Sequence, residues 1–214
     1  MEQCVAMADA QGQGAIDPPV GLASYRAGVR SIERFAPMAG WDAPTPCGEW
    51  RTVELIGHLL AIVRYCHRLL DAASMGQPLE GLPQGLQLAA MNAEELAVLA
   101  EVRGDVRARE FVAEADAYAV RLHSTDWSMI LGVWSSAGSL SVGQHTGLVL
   151  GEWHVHAWDL ARSAGLDYQP DDAGTVAEGQ RTLDHTPGFA DPWIDVLSTY
   201  GRDPNWSRPT GESV

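Results

Sequence analysis

Residues 141–164 read SVGQHTGLVLGEWHVHAWDLARSA. It opens on Ser141, a residue type that caps helix N-termini, and is followed by Gly165, a residue type that commonly ends helices. At about 100° per residue, four of its side chains fall within one stripe of roughly 60°: His145, Val149, Glu152 and His156. The stretch therefore predicts a long helix that directs histidine and carboxylate groups to one side.

Three further long helices precede this one, each indicated by apolar residues at helical spacing. Proline and glycine predict loops at 41–50 and 75–90, and the residues of 124–140 favour a short hairpin or an extended loop. Four long helices with connections that are not all short predict an all-α four-helix bundle with a crossover connection and short C-terminal helices. The predicted helices are 21–38, 52–73 with Thr52 as its cap, 93–123 with Gly104 as a weak point, 141–164, 172–183 and 192–200.

The chain is expected to form one domain with two short appendages. Residues 1–19 lack hydrophobic periodicity and are interpreted as a flexible leader, 20–206 as the bundle, and 207–214 as a disordered tail. There is no run of about 18 apolar residues, which excludes a transmembrane helix. The N-terminus also lacks a basic segment followed by an apolar one, which argues against a secretory signal.

Composition narrows the classes of partner and of chemistry. The 214 residues include 28 acidic and 14 basic side chains, for a formal net charge of −14, and every basic residue is an arginine. Nucleic acid and anionic membranes are therefore poor partners, and lysine Schiff-base chemistry is excluded. Cys4, Cys47 and Cys66 show no CxxC spacing, which favours a reduced, cytoplasmic protein without a disulfide framework. We expect a small-molecule substrate and a monomer or homodimer.

A helical wheel separates the histidines that face inward from those that do not. On the second helix His58 lies on the apolar stripe, whereas His67 is roughly 180° away and is expected to face solvent. On the fourth helix His154 lies on the side opposite His156. Two further histidines have no convergent partners and are expected at the surface, His123 and His185.

Glu152 and His156 form an ExxxH pair, whose members lie one helical turn apart. A carboxylate oxygen and an imidazole nitrogen at that spacing can reach one metal ion, and His58 is the natural third ligand from a neighbouring helix. A His₂Glu set with an open position is typical of catalytic zinc. The alternative is a buried charge-assisted hydrogen bond between Glu152 and His156 without a metal.

His145 lies seven residues before Glu152, roughly 10 Å along the helix axis, which is too far for it to bind the same metal. It is interpreted as the catalytic acid–base group, one that moves a proton near the site. A packed core histidine is the alternative reading of the same position.

Three segments carry a resemblance to a known family. WDAPTPCGEW at 41–50, followed by VELIGHL at 53–59, resembles the first motif of the mycothiol-dependent maleylpyruvate isomerase N-terminal domains, within the DinB-like superfamily. EWHVHAWDLA at 152–161 is similar to that family's second motif. YGRDPNW at 200–206 is similar to the ending of its actinobacterial metal-binding branch. The resemblance spans roughly residues 20–206.

The resemblance implies a DinB-like four-helix bundle that holds a divalent metal with His58, Glu152 and His156, the triplet that the wheel also selects. It implies a low-molecular-weight thiol such as mycothiol as cosubstrate. Imidazole and carboxylate ligands suit zinc first, with nickel, iron and manganese as alternatives. The named isomerase carries an additional C-terminal domain, so maleylpyruvate itself is not implied as the substrate. Three residues in the motifs are interpreted as packing residues: Cys47, Trp153 and Trp158.

The sequence is compatible with three functions. The first is a metal-dependent isomerase or thiol S-transferase, in which the metal activates a thiolate or water or polarises a carbonyl. The second is a thiol-independent isomerase, cyclase or hydrolase that tailors a natural product, and the third is a non-catalytic metal-binding stress protein. Substrate contacts are expected from loops 75–90 and 124–140. Arg64 and Arg68 are the candidates to bind the carboxylate of a thiol.

Overall fold

The computed structural model describes residues 16–48, 50–80, 86–133, 138–183 and 189–208. These residues are mainly helical, with one two-stranded antiparallel sheet. None of the helices in these ranges combines the length and the apolar character needed to cross a membrane. The elements are α1 (Pro18–Ala39), α2 (Thr52–Ser74), α3 (Leu86–Val98), α4 (Gly104–Ser124), β1 (Ile130–Val133), β2 (Ser139–Ser141), α5 (Val142–Ser163), α6 (Ala173–Gln180), a 3-10 turn (Arg181–Leu183) and α7 (Pro192–Thr199).

Helices α1, α2, α4 and α5 form the four-helix bundle that the sequence predicts. Helix α1 packs mainly against α5 and α4, and α2 packs against the same two helices. The consecutive helices α1 and α2 therefore lie diagonally across the bundle, so the segment between them crosses its end. This arrangement confirms the all-α bundle with a crossover connection.

The predicted third helix, 93–123, is wrong, because the chain forms two helices there, α3 and α4. Helix α3 begins at Leu86, inside the predicted loop 75–90, and the chain leaves the helical path between Val98 and Gly104. The buried Arg107 explains why the break is stable, since its guanidinium donates hydrogen bonds to carbonyls of the segment that follows α3. Its acceptors are the carbonyl oxygens of Leu99, Ala100 and Val102, together with that of Val53 on α2.

Two helix starts differ from their predicted positions. Helix α1 begins at Pro18, three residues early, because Asp17 caps its first turn and proline at the first helical positions needs no amide partner. The cap of α2 is Arg51 rather than Thr52. The Glu54 carboxylate accepts a 2.8 Å hydrogen bond from the Arg51 amide, and so completes the helix start from inside the first turn.

Helix α5 begins and ends as predicted. The Ser141 hydroxyl accepts from the Gln144 amide at 3.2 Å, and the Gln144 side-chain oxygen accepts from the Ser141 amide at 3.1 Å, which forms a capping box. Gly165 follows the helix with φ +72°. Nineteen of its 22 residues are buried, and the partly exposed ones are Leu148, Glu152 and Arg162. Helix α5 is therefore the central helix of the molecule rather than one with a solvent face.

The sequence favours a short hairpin or an extended loop in 124–140, and the structure shows two strands there, β1 and β2, which pair antiparallel. Helix α6 lies within the predicted 172–183. It packs so closely on α5 that a Cβ at Gly179 would lie 2.5 Å from the carbonyl oxygen of Gly147. Helix α7 corresponds to the predicted 192–200 and packs on α6 and α5. The short C-terminal helices thus cover the face of α5 that the bundle leaves open.

Candidate metal centre

His58, Glu152 and His156 come together at the contact between α2 and α5. The Glu152 Oε2 atom lies 3.5 Å from Nε2 of His58 and 3.2 Å from Nε2 of His156. The three potential ligand atoms lie within 4.8 Å of one another, a spacing that one metal ion could span. The side chains of the histidines are 9% and 4% exposed, whereas that of Glu152 is 28% exposed. The site therefore opens to solvent beside Glu152.

His156 is held from its other side by a second carboxylate. Its Nδ1 atom lies 2.8 Å from Oδ2 of the fully buried Asp159, one turn further along α5. A neutral His156 that donates from Nδ1 has its Nε2 lone pair facing the Glu152 carboxylate. Two acceptors 3.2 Å apart repel, and a proton on Nε2 or a cation between them removes the repulsion. This donor set is the one that a metal-binding histidine with a carboxylate partner presents.

The protonation of the triplet follows from burial and mutual contact. Burial acts to raise the pKa of Glu152, but hydrogen bonds from His156 and His58 outweigh it and hold that pKa well below its ordinary value. Burial acts to lower the pKa of His156, and the hydrogen bonds to Asp159 and Glu152 raise it overall. Burial lowers the pKa of His58 despite its contact with Glu152. Glu152 is therefore an anion and His58 a neutral imidazole at neutral pH.

Three other side chains surround the triplet. The Trp50 ring lies 4.7 Å from the His58 ring, centroid to centroid, and Asn92 on α3 lies close enough to His58 to influence its pKa. The Tyr200 hydroxyl donates to the side-chain oxygen of Gln180 at 3.2 Å. Burial and the neighbouring Glu152 carboxylate raise the pKa of Tyr200 well above 10, so its hydroxyl stays protonated.

Cys47 lies at the edge of the site rather than in remote packing. Its sulfur, an oxygen of Asp159 and a nitrogen of His156 lie within 4.8 Å of one another. Burial raises the pKa of the Cys47 thiol to about 11, although Arg202 beside it acts in the opposite direction. A thiol that stays protonated is a poor nucleophile, which agrees with the interpretation of Cys47 as a packing residue. Trp153 and Trp158, 0% and 4% exposed, are packing residues as well.

His145 is buried, and its Nδ1 atom has no hydrogen-bond partner among the described residues. Burial lowers its pKa to about 4, so the ring is neutral at pH 7. It is not one of the residues that approach within metal-binding distance of Glu152 and His156. The buried position fits both interpretations of this residue, as an acid–base group and as a core histidine.

The depressed pKa of His145 predicts a loss of stability in mild acid. Between pH 6.5 and pH 4 the unfolded chain binds a proton that the folded chain does not, so the free energy of unfolding falls as pH falls through that window. From pH 7 to pH 5 this amounts to about 2 kcal/mol. Replacing His145 by glutamine is expected to remove that share of the pH dependence, measured by urea unfolding at both pH values. An identical pH dependence in both proteins would contradict the assignment.

Two histidines that the helical wheel placed outside the candidate site form hydrogen bonds in the structure. His67, expected to face solvent, lies between α2 and α4, where its Nε2 atom is 3.1 Å from the Glu114 carbonyl oxygen and Arg121 contacts its Nδ1 atom. His154 faces away from the triplet as predicted, but it is fully buried against Ser24 of α1. A helical wheel shows which way a side chain points from its own helix, but not which other element packs on that side. His123 is exposed as predicted, and His185 lies outside the described residues.

The two arginines proposed for a thiol carboxylate have different surroundings. Arg64 forms ion pairs with Glu95 of α3 and Glu110 of α4, so its charge is already neutralised. Arg68 is exposed, and its guanidinium lies 5.6 Å from the Tyr65 ring centroid. The predicted substrate loops are described only in part, since 81–85 and 134–137 lie outside the described residues.

Sequence reasoning missed Asp159 and Arg202 as members of the site. Asp159 could have been found, because it follows His156 by three residues and thus lies on the same helical face. Arg202 lies 43 residues after Asp159, so no helical spacing connects the two, and its signal is its place in the 200–206 motif. Its guanidinium nevertheless donates to both carboxylate oxygens of Asp159, at 2.9 and 2.8 Å.

Comparison with known proteins gives one family and one fold. The family profile of the mycothiol maleylpyruvate isomerase N-terminal domain matches residues 23–161. Two similar crystal structures are of the mycothiol-dependent maleylpyruvate isomerase and of a variant with a histidine replaced by alanine, with TM-scores of 0.59 and 0.61. Each is 16% identical over 78% of this chain and 68% of that one, a likeness that establishes the fold. No curated protein matches the chain.

Proposed function

Since this chain belongs to the mycothiol maleylpyruvate isomerase N-terminal domain family, we propose that it is a divalent-metal-dependent isomerase or thiol S-transferase. Its substrate is a small molecule, and its cosubstrate is a low-molecular-weight thiol such as mycothiol. The observation that carries the proposal is the convergence of His58, Glu152 and His156 on one point that opens to solvent.

The donor atoms of the triplet fit a divalent cation. With a proton on Nδ1 facing Asp159, the Nε2 lone pair of His156 faces the Glu152 carboxylate at 3.2 Å, an arrangement that a cation between them would stabilise. Two imidazole nitrogens and one carboxylate oxygen are the ligands of many catalytic zinc sites. A bound divalent ion would lower the pKa of a thiol or water and polarise a carbonyl. We propose zinc first, with nickel, iron and manganese as alternatives.

The charge balance of the site favours an anionic partner. The Glu152 and Asp159 carboxylates carry two negative charges, against one on Arg202 and two on a divalent ion. One positive charge would remain in a largely buried site, and burying an uncompensated charge is costly. A thiolate would neutralise it, whereas a neutral substrate would not. The partly exposed side of Glu152 is where such a molecule would approach.

The first experiment measures metal content and thiol binding separately. We expect the purified protein to hold about one divalent ion per chain, as a site of three protein ligands implies. In the cobalt-substituted protein, titration with a small thiol should produce a thiolate-to-cobalt charge-transfer band, and the matching alcohol should not. A protein that takes up neither zinc, nickel nor cobalt would overturn the metal proposal.

Metal uptake without a thiolate band would support the second candidate, a thiol-independent isomerase, cyclase or hydrolase. The partly exposed side of Glu152 supports this candidate, because a carbonyl substrate could also approach the triplet there. The genes next to this one would distinguish a biosynthetic from a catabolic setting. Metal uptake without any turnover would leave a metal-binding protein as the function.

Cys47 and Cys66 are free thiols, which supports a reducing, cytoplasmic location.

We propose that His145 acts as a neutral proton acceptor near the substrate. Replacing it by alanine is expected to lower turnover by about 10²–10⁴-fold, the usual worth of general acid–base catalysis, while metal content stays unchanged. A thermal melt separates this role from a packing role. A large fall in melting temperature with unchanged activity of the folded fraction would show that His145 is structural.

A further inference from the structure

The chain returns to the His58, Glu152 and His156 triplet after α7. Beyond α7, Gly201 turns the backbone with φ +66°, and the Arg202 amide donates to the carbonyl oxygen of Leu197 at 2.8 Å. This turn directs the Arg202 side chain back to Asp159 on α5. The segment lies outside residues 23–161, the part of the chain that the family profile matches.

Arg202 and Asp159 form a bidentate ion pair. Its Nε atom donates to Oδ1 at 2.9 Å and its Nη2 atom to Oδ2 at 2.8 Å. The remaining Nη1 atom donates to the Tyr200 carbonyl oxygen at 2.7 Å, so all three nitrogens are paired. The side chains are 10% and 0% exposed. Two parallel hydrogen bonds between planar groups fix their relative orientation as well as neutralising the buried charge.

The orientation of Asp159 determines that of His156. The same Oδ2 atom that accepts from Arg202 accepts from Nδ1 of His156, at 2.8 Å. A carboxylate held in this way keeps the hydrogen on Nδ1 and directs Nε2 toward Glu152 and His58. We infer that Arg202 is a positioning residue for His156, acting through Asp159. The role as metal support rests on the proposed function, whereas the orientation of His156 does not.

The test compares Arg202→Met with Arg162→Met. Arg162 is the matched control, because it anchors the same C-terminal segment through the Trp206 carbonyl oxygen but does not contact Asp159. Arg202→Met is expected to raise the Kd for cobalt by about 10–100-fold and to change the visible spectrum of the bound ion. Arg162→Met should leave both unchanged. Arg202→Lys keeps the positive charge but cannot form the bidentate contact. It should therefore remain folded and give an intermediate Kd for cobalt.

A second readout needs no metal. In the metal-free wild type the His156 Nδ1 proton should give a slowly exchanging nitrogen-attached proton NMR signal, and in Arg202→Met that proton should exchange rapidly. If the wild type binds no cobalt, the proposed function fails, and this signal still decides the inference. A wild-type Kd and wild-type proton exchange in Arg202→Met would overturn it. So would an equal loss of affinity in Arg162→Met, since that would trace the effect to the loosened segment.

Discussion

Glutamine in place of Glu152 is expected to weaken metal binding by more than the roughly 10–100-fold that the loss of an outer hydrogen-bond partner costs. The amide keeps the shape of the carboxylate but removes the charge that His58 and His156 face. The helix should stay folded, because Glu152 is one of the few partly exposed residues of α5. Cobalt affinity by titration and helicity by circular dichroism measure the two effects.

Glu114→Gln is the matched control for this substitution. Glu114 also has a carboxylate oxygen 3.5 Å from a histidine nitrogen, that of His67, but it lies on α4 and outside the triplet. Its replacement should leave metal affinity unchanged. Added zinc should raise the melting temperature of the control protein and not that of Glu152→Gln, since a ligand stabilises only the state that binds it. Equal cobalt affinity in the two variants would show that Glu152 is not a ligand.

Truncation of Trp153 to alanine is expected to cost about 3–5 kcal/mol of the free energy of unfolding. The ring is fully buried in the bundle, with the Phe111 ring 5.3 Å away and the Tyr25 ring 5.7 Å away. No side chain can move in to replace a tryptophan there without disturbing the packing of α1, α4 and α5. Urea unfolding measures the loss.

Val120→Ala serves as the control, because Val120 is 67% exposed on α4 and its truncation should change stability by less than about 0.5 kcal/mol. A loss of less than about 1 kcal/mol for Trp153→Ala would mean that the core collapses around the missing ring. That result would contradict the close packing of α5 described above.

The convergence of His58, Glu152 and His156 could be predicted because helical periodicity is local. Glu152 and His156 share a helical face wherever α5 packs, and His58 lies on the apolar stripe of α2. The break between α3 and α4 could not be predicted in the same way. It depends on Arg107, whose guanidinium reaches back to the end of α3 and across to Val53, and propensity does not report such contacts.

The surroundings of each histidine were harder to predict than its direction. His154 points away from the triplet, which on an ordinary helix means toward solvent, but α1 covers that side of α5. Arg202 comes to Asp159 only because α6 and α7 bring the chain back over α5. Contacts that depend on how distant segments return are set by tertiary structure. The contacts that support the triplet were therefore less visible in the sequence than the triplet itself.

The near-complete burial of α5 has a consequence for how the family can diversify. A different side chain at most positions of this helix would clash with a packed neighbour. The helix that carries Glu152 and His156 therefore tolerates few substitutions. Helix α3, in contrast, packs mainly on α2, leaves Val98 75% exposed, and brings Asn92 next to His58. Evolution toward new substrates would therefore alter α3 and the loops beside it. Substrate selectivity would then change in that region, while the reactivity that depends on α5 would stay the same.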